Sequence, residues 1–203
     1  MAATAGSVAE PFTIEVDRTR CTLVPAGQVI VRRLSDLAGL FADADAWQAA
    51  VTAEDRVVYT VTSSPVPEAP AELPQSITRI QPGRIGDEFF FTKGHLHEVS
   101  DAEIYLGLEG EGALLLYDGH NTRYLEMAPD RMGYIPPGWA HRSVNTGSGV
   151  YSFLAIYPGC AGHDYDWVPE HGFGARVFAT GDRPELRRYD EPGVPLPWST
   201  CRP

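Results

Sequence analysis

The sequence predicts an all-β fold, a small barrel or sandwich of antiparallel strands with one or two short helices at its side. Three observations carry this expectation. Short runs rich in Val, Ile, Tyr and Phe recur along the chain, with the composition that packs on a pleated, half-buried surface. Twenty glycines and seventeen prolines punctuate those runs, as turns between short strands require. Only one stretch carries a convincing helical period.

Taken in order, residues 12–16 and 28–31 space their apolar side chains as two short strands. Ser35 and Asp36 follow as candidate caps for a short helical turn. Residues 43–53 place Trp47, Ala50 and Val51 on one side and read as the helix. Residues 57–62, Val-Val-Tyr-Thr-Val-Thr, form a strong strand pattern. The Pro-, Glu- and Ala-rich stretch 65–74 reads as a mobile excursion rather than a domain boundary. Strands are expected over 76–80 and 87–91, with Pro82-Gly83 turning between them. Others follow over 102–106, over 114–117 with a hairpin turn at Asp118-Gly119, and over 124–127. A last strand over 151–157 ends at Pro158-Gly159. Residues 1–9 read as a flexible tail, 10–180 as one domain with an N-terminal strand and helix arm, and 181–203 as a C-terminal extension.

Composition narrows the class. The chain has 203 residues, 43% hydrophobic and 21% charged, which suits a globular protein with a real core. Its formal net charge of −11 argues against a nucleic-acid partner, whose backbone it would repel. An anionic ligand would have to be attracted locally. No apolar run approaches a membrane span, and no early stretch resembles a secretory signal. Three scattered cysteines, Cys21, Cys160 and Cys201, do not make a disulfide framework. A cytoplasmic location is expected.

The chemistry concentrates between Phe89 and Asn145. Gly94-His95-Leu96-His97 puts two imidazoles on one face if the segment is extended. Glu103 lies in a strand pattern with five residues between it and His97, and His141 follows the turn Pro136-Pro137-Gly138. Taken singly, these residues have plainer readings, as a surface pair, a solvated strand residue and a turn histidine. Together, three imidazoles and a carboxylate suit one divalent first-row ion.

That joint pattern resembles the paired motifs of the cupin superfamily, which implies a cupin jelly roll. The resemblance narrows further. Arg32-Arg33-Leu34-Ser35-Asp36-Leu37, the run from Phe89 to His97, Ala102-Glu103-Ile104-Tyr105 and the run from Ile135 to Arg142 are similar to blocks of the cupin-type (archaeal-type) glucose-6-phosphate isomerases. So are Ala155-Ile156-Tyr157-Pro158 and Ala161-Gly162-His163-Asp164-Tyr165, with Gly172-Phe173 behind them. The likeness spans about residues 29–175.

It implies His95, His97, Glu103 and His141 as ligands of one metal ion per subunit, Fe2+ first, with Mn2+, Ni2+, Co2+ or Zn2+ as alternatives. It implies Thr78, Thr92, Gly94, Tyr157 and His163 as substrate-binding positions; Tyr105 joins them because it shares the parity of Glu103, and the chemistry makes Glu103, His163 and Tyr157 the catalytic candidates. The implied activity interconverts glucose 6-phosphate and fructose 6-phosphate, in glycolysis and gluconeogenesis, by a homodimer. Three features depart from the pattern. The step from His97 to Glu103 is one residue short, and Asp130 stands at a usual glycine. Thr92 and His95 differ by three, so a regular strand would oppose them unless the chain bends at Gly94.

The residues support that chemistry. A divalent ion held by three neutral imidazoles and one carboxylate carries roughly +1 and can stabilise charge on two adjacent sugar oxygens. Glu103 is the nearest base for an enediol route, although metal coordination weakens it, and a hydride shift needs no base. Other readings of the same ligands are an Fe(II) dioxygenase, another phosphosugar isomerase or epimerase, or a non-catalytic sugar-binding cupin.

Overall fold

The computed structural model describes residues 10–181 and 183–188. The tail predicted over 1–9 and most of the predicted extension, with Cys201, lie outside the described residues. Along the chain run β1 (Glu15–Asp17), β2 (Thr22–Val24), β3 (Val29–Arg33), a 3-10 turn (Leu34–Leu37) and α1 (Ala44–Ala53). β4 (Val57–Ser63), β5 (Gln75–Ile80), β6 (Arg84–Ile85), β7 (Glu88–Phe89) and β8 (Glu103–Glu109) follow. Next come β9 (Gly112–Tyr117), β10 (Thr122–Met127), β11 (Met132–Ile135), β12 (Ala140–Asn145) and β13 (Tyr151–Ile156). α2 (Trp167–His171), β14 (Ala175–Thr180) and β15 (Arg183–Arg188) close the described chain.

Adjacent strands are antiparallel. A six-stranded sheet has the order β11-β8-β13-β5-β4-β3, a three-stranded sheet β10-β9-β12, and a four-stranded sheet β15-β14-β7-β6. One core joins all three. It includes Tyr59, Ile80 and Phe153 from the first sheet, Leu114 and Leu116 from the second, and Phe89 and Val177 from the third. The architecture is the jelly-roll barrel that the alternating strands predict, with two short α-helices. β1 and β2 form a separate hairpin, whose Leu23 packs with Ile77 and Leu108 in a second, smaller cluster.

Local chemistry sets several boundaries. Asp43 caps α1 by accepting from the Ala46 amide at 2.8 Å. Trp47 anchors that helix, its ring N–H donating to Leu34 O at 2.9 Å. At the 3-10 turn, Asp36 accepts from the Arg33 amide at 2.8 Å, whereas Ser35 bonds Asp55 instead. The first strand starts at Glu15 rather than residue 12, because its partner is the β2 segment that sequence patterning passed over. The strand expected over 87–91 is cut to Glu88–Phe89 and continues only as a single bridge from Phe91 to Val144. β15 pairs with β14 along its length, so the chain beyond residue 180 joins the sheet.

The stretch 65–74 is tied down rather than a free excursion. Its ends and middle are held by Ser64 N to Gln75 O at 2.8 Å, Tyr157 N to Pro74 O at 3.3 Å and Gly159 N to Glu72 O at 2.9 Å. Gly159 is required there, since a Cβ would sit 2.4 Å from Ala69 O. Asp130 takes the left-handed φ of 65°, the conformation an Asp tolerates better than most residues. The turn before β11 therefore keeps the shape a glycine would give it.

Candidate metal centre and its pocket

His95 and His141 face each other across one antiparallel bridge. The His95 amide donates to His141 O at 3.1 Å, and the His141 amide to His95 O at 2.9 Å. The histidine segment is thus a pair of single bridges, not a regular strand, yet its two imidazoles still converge. Glu103 opens β8 and pairs with Ile135 at the end of β11. The turn after Ile135 then carries the chain from the six-stranded sheet to β12 in the three-stranded one. That crossing sets His141 against Glu103 on the opposite wall.

Ligand atoms of His95, His97, Glu103 and His141 lie within 4.8 Å of one another, and all four residues are buried. Nε2 of His141 and of His97 approach Glu103 Oε2 to 3.0 and 3.3 Å. Even so, Nε2 of all three histidines and Oε2 of Glu103 are buried without an aligned hydrogen bond. Four buried polar atoms left unpaired at one point are costly unless a cation satisfies them.

The other ring nitrogens fix the tautomer. Nδ1 of His97 is 2.9 Å from Asp101 O, and Nδ1 of His141 is 3.2 Å from Trp139 O. A carbonyl only accepts, so each Nδ1 carries the hydrogen and each Nε2 keeps its lone pair for a metal. This donor set fits a divalent first-row ion.

The electrostatics agree. Burial, then the neighbouring imidazoles, pushes His95 well below the ordinary histidine value, which keeps it neutral. For Glu103, burial favours the acid form, but contacts from His141 and His97 outweigh it and hold the carboxyl low. For His97, burial favours the neutral ring, and the Glu103 carboxylate and Asp101 carbonyl overcome it and raise the value.

The cluster opens into a cavity of about 590 Å3. Thr78, Thr92, Gly94, Tyr105, Tyr157 and His163 all line it, whereas His97 lies behind the wall. Gly94 has φ of 76°, and this bend lets Thr92 and His95 reach one space despite their opposed parity. Thr92 Oγ1 accepts from the Ser143 amide at 3.0 Å, which ties its segment to β12. Buried Arg142 holds the same segment, donating to Lys93 O at 2.8 Å between the rings of Phe91 and Phe173.

Tyr105 stacks on Phe153 at 4.4 Å with its ring 5.8 Å from His141, and burial drives its hydroxyl well above the ordinary tyrosine value. His163 arrives because Leu96 bridges Asp164, which sets its ring 4.5 Å from that of His95. Burial lowers His163 below the ordinary histidine value.

Among the titratable lining residues, sequence reading missed four, Arg32, Tyr59, Glu68 and Tyr165. Two had a signal. Tyr165 shares the parity of His163, and Arg32 belongs to the strand pattern entering the helical turn. Arg32 is the one Lys or Arg among the described lining residues. Glu68 lies in the excursion and had no local signal.

A buried three-histidine, one-glutamate cluster that could hold a metal ion, facing a cavity inside a jelly roll, defines a barrel of the cupin class. The family model described as glucose-6-phosphate isomerase (GPI) matches residues 31–192, and the chain belongs to that family. It is similar to the glucose-6-phosphate isomerase of Pyrococcus abyssi, 42% identical over 185 residues, 90% of this chain and 96% of that one. The corresponding Thermococcus litoralis protein is 43% identical over 170 residues, 83% of this chain and 89% of that one. A putative glucose-6-phosphate isomerase 2 of Rhizobium meliloti is 39% identical over 166 residues, 80% and 83% of the two chains.

Proposed function

We propose that this protein interconverts glucose 6-phosphate and fructose 6-phosphate with one divalent ion, Fe2+ first, held by His95, His97, Glu103 and His141. The carrying observation is the set of four buried, unpaired ligand atoms at the wall of a polar cavity, in a chain of this family. The bound ion supplies Lewis-acid polarisation of the oxygens on C1 and C2. Glu103 takes and returns the proton that moves between those carbons. His163 serves ring opening by exchanging a proton with the ring oxygen or O1, and Tyr157 meets the substrate beside it.

Thr78, Thr92 and Gly94 offer hydroxyl and backbone donors to the phosphate. Arg32 gives an otherwise acidic protein a local positive charge for it. The enzyme works in the cytoplasm, in glycolysis and gluconeogenesis, as a homodimer. The exposed Val29 and Val31 of edge strand β3 support pairing with a second copy. Light scattering that gives a 22.2 kDa particle at micromolar concentration refutes the dimer. The function is tested by a coupled assay of fructose 6-phosphate conversion before and after chelation. Activity should vanish with the metal and return with added Fe2+; conversion that survives complete metal removal would overturn the reading.

A further inference from the structure

The Tyr157 hydroxyl, a catalytic candidate, has its one hydrogen already committed. It donates to Glu68 Oε1 at 2.9 Å. Glu68 belongs to the stretch between β4 and β5, where Val66, Pro67 and Glu68 form part of the cavity wall. The stretch is fastened at Tyr157 and two residues beyond it, by Tyr157 N to Pro74 O and by Gly159 N to Glu72 O. The Glu68 carboxylate is therefore held in place rather than sampling the surface. The Tyr157 ring meets His163 edge-on at 5.7 Å, and His163 in turn packs against His95.

A phenol has one donor and two acceptor positions. With its hydrogen on Glu68, Tyr157 offers the cavity lone pairs alone. Burial, then the charge of Glu68, also raises its pKa, so the hydrogen stays on the oxygen. A phenol in this state accepts a hydrogen bond from a sugar hydroxyl and fixes the position of that hydroxyl. Without Glu68, the hydrogen is free to rotate into the cavity and to compete for the same place.

We infer that Glu68 is a positioning residue, which acts through Tyr157 by turning its hydroxyl so that oxygen rather than hydrogen meets the substrate's hydroxyls. This rests on the isomerase reading above and adds to it a residue from outside the histidine and glutamate motifs.

The test is a double-mutant cycle of Glu68→Ala and Tyr157→Phe, with Glu68→Gln as the conservative variant, each checked for metal content and thermal midpoint. Kinetics are measured on fructose 6-phosphate. In parallel, calorimetry follows the affinity for 6-phosphogluconate, an open-chain analogue that is not turned over. Glu68→Ala should lower kcat about tenfold, the scale of one hydrogen bond to a charged group, with KM changed less than about threefold. Glu68→Gln, which keeps an acceptor oxygen, should recover most of that loss. In the Tyr157→Phe background, Glu68→Ala should cost nothing further, in kinetics or in affinity.

Equal losses in the two backgrounds, or no rescue by Gln, would overturn the proposal and leave Glu68 a wall residue. If the wild type does not convert fructose 6-phosphate, the isomerase reading has failed. The calorimetric cycle then still decides whether Glu68 acts through Tyr157.

Discussion

Gly94 is the residue on which the geometry of the centre turns, and Gly94→Ala measures that dependence. Its φ of 76° costs a residue with a Cβ about 1–2 kcal/mol. The added methyl would also lie 2.7 Å from Phe173 Cζ, 2.9 Å from His141 O and 3.1 Å from Arg142 Cβ. Phe173 and Arg142 are packed against each other, and His141 O accepts from His95, so none of the three gives way freely. Overpacking of that kind costs a further ~1–3 kcal/mol.

The total of about 2–5 kcal/mol corresponds, at about 2–4 °C per kcal/mol for a chain of this size, to a thermal midpoint lowered by roughly 4–20 °C. Gly119→Ala is the control, because Gly119 has a φ of 93° and nothing within 4 Å of its absent Cβ; only the conformational part of the cost, ~1–2 kcal/mol, applies there. Pushing His141 O away also separates the His95–His141 bridge, and metal affinity should fall about tenfold or more. Thermal unfolding by circular dichroism and metal titration read the two effects. A Gly94→Ala protein as stable as Gly119→Ala, with undiminished metal affinity, would refute the reasoning.

Elemental analysis of His97→Ala plus His141→Ala should find the metal lost while circular dichroism still reports a β-rich fold; full occupancy would sink the ligand assignment. Metal affinity should weaken as pH falls, because each imidazole must shed its proton to bind. His97 gains its proton before His95, since Glu103 raises it despite its burial and burial holds His95 down. Titrations from pH 8 to 5.5 that give a flat or rising affinity contradict that sign. Isomerisation in D2O should place deuterium at C2 of glucose 6-phosphate if Glu103 carries the proton, and mass spectrometry of unlabelled product after many turnovers removes the base role from Glu103.

Much of this protein was legible in its sequence, for local reasons. Strand alternation, turn residues and the spacing of His95, His97, Glu103 and His141 follow from the period of an extended chain and the chemistry of Gly and Pro. They set the all-β class and pick out the four candidate ligands, whose meeting depends on the His95–His141 bridge and the crossing from β11 to β12. Asp43 capping the helix is equally local.

Tertiary structure decided what depends on pairing between distant segments. The Gly94 bend resolves the parity conflict because His95 bridges His141. His163 reaches the centre because Leu96 bridges Asp164. β11, β12 and β15 are short or polar segments that become strands only against their neighbours, so propensity alone passed over them. Glu68 shows the difference most directly. Its sequence context is proline-rich and irregular, and only the hydrogen bonds that fasten residues 64–75 to the segment beyond β13 bring its carboxylate to Tyr157. An extended chain specifies which face a side chain takes; which other segment meets that face depends on the closed barrel.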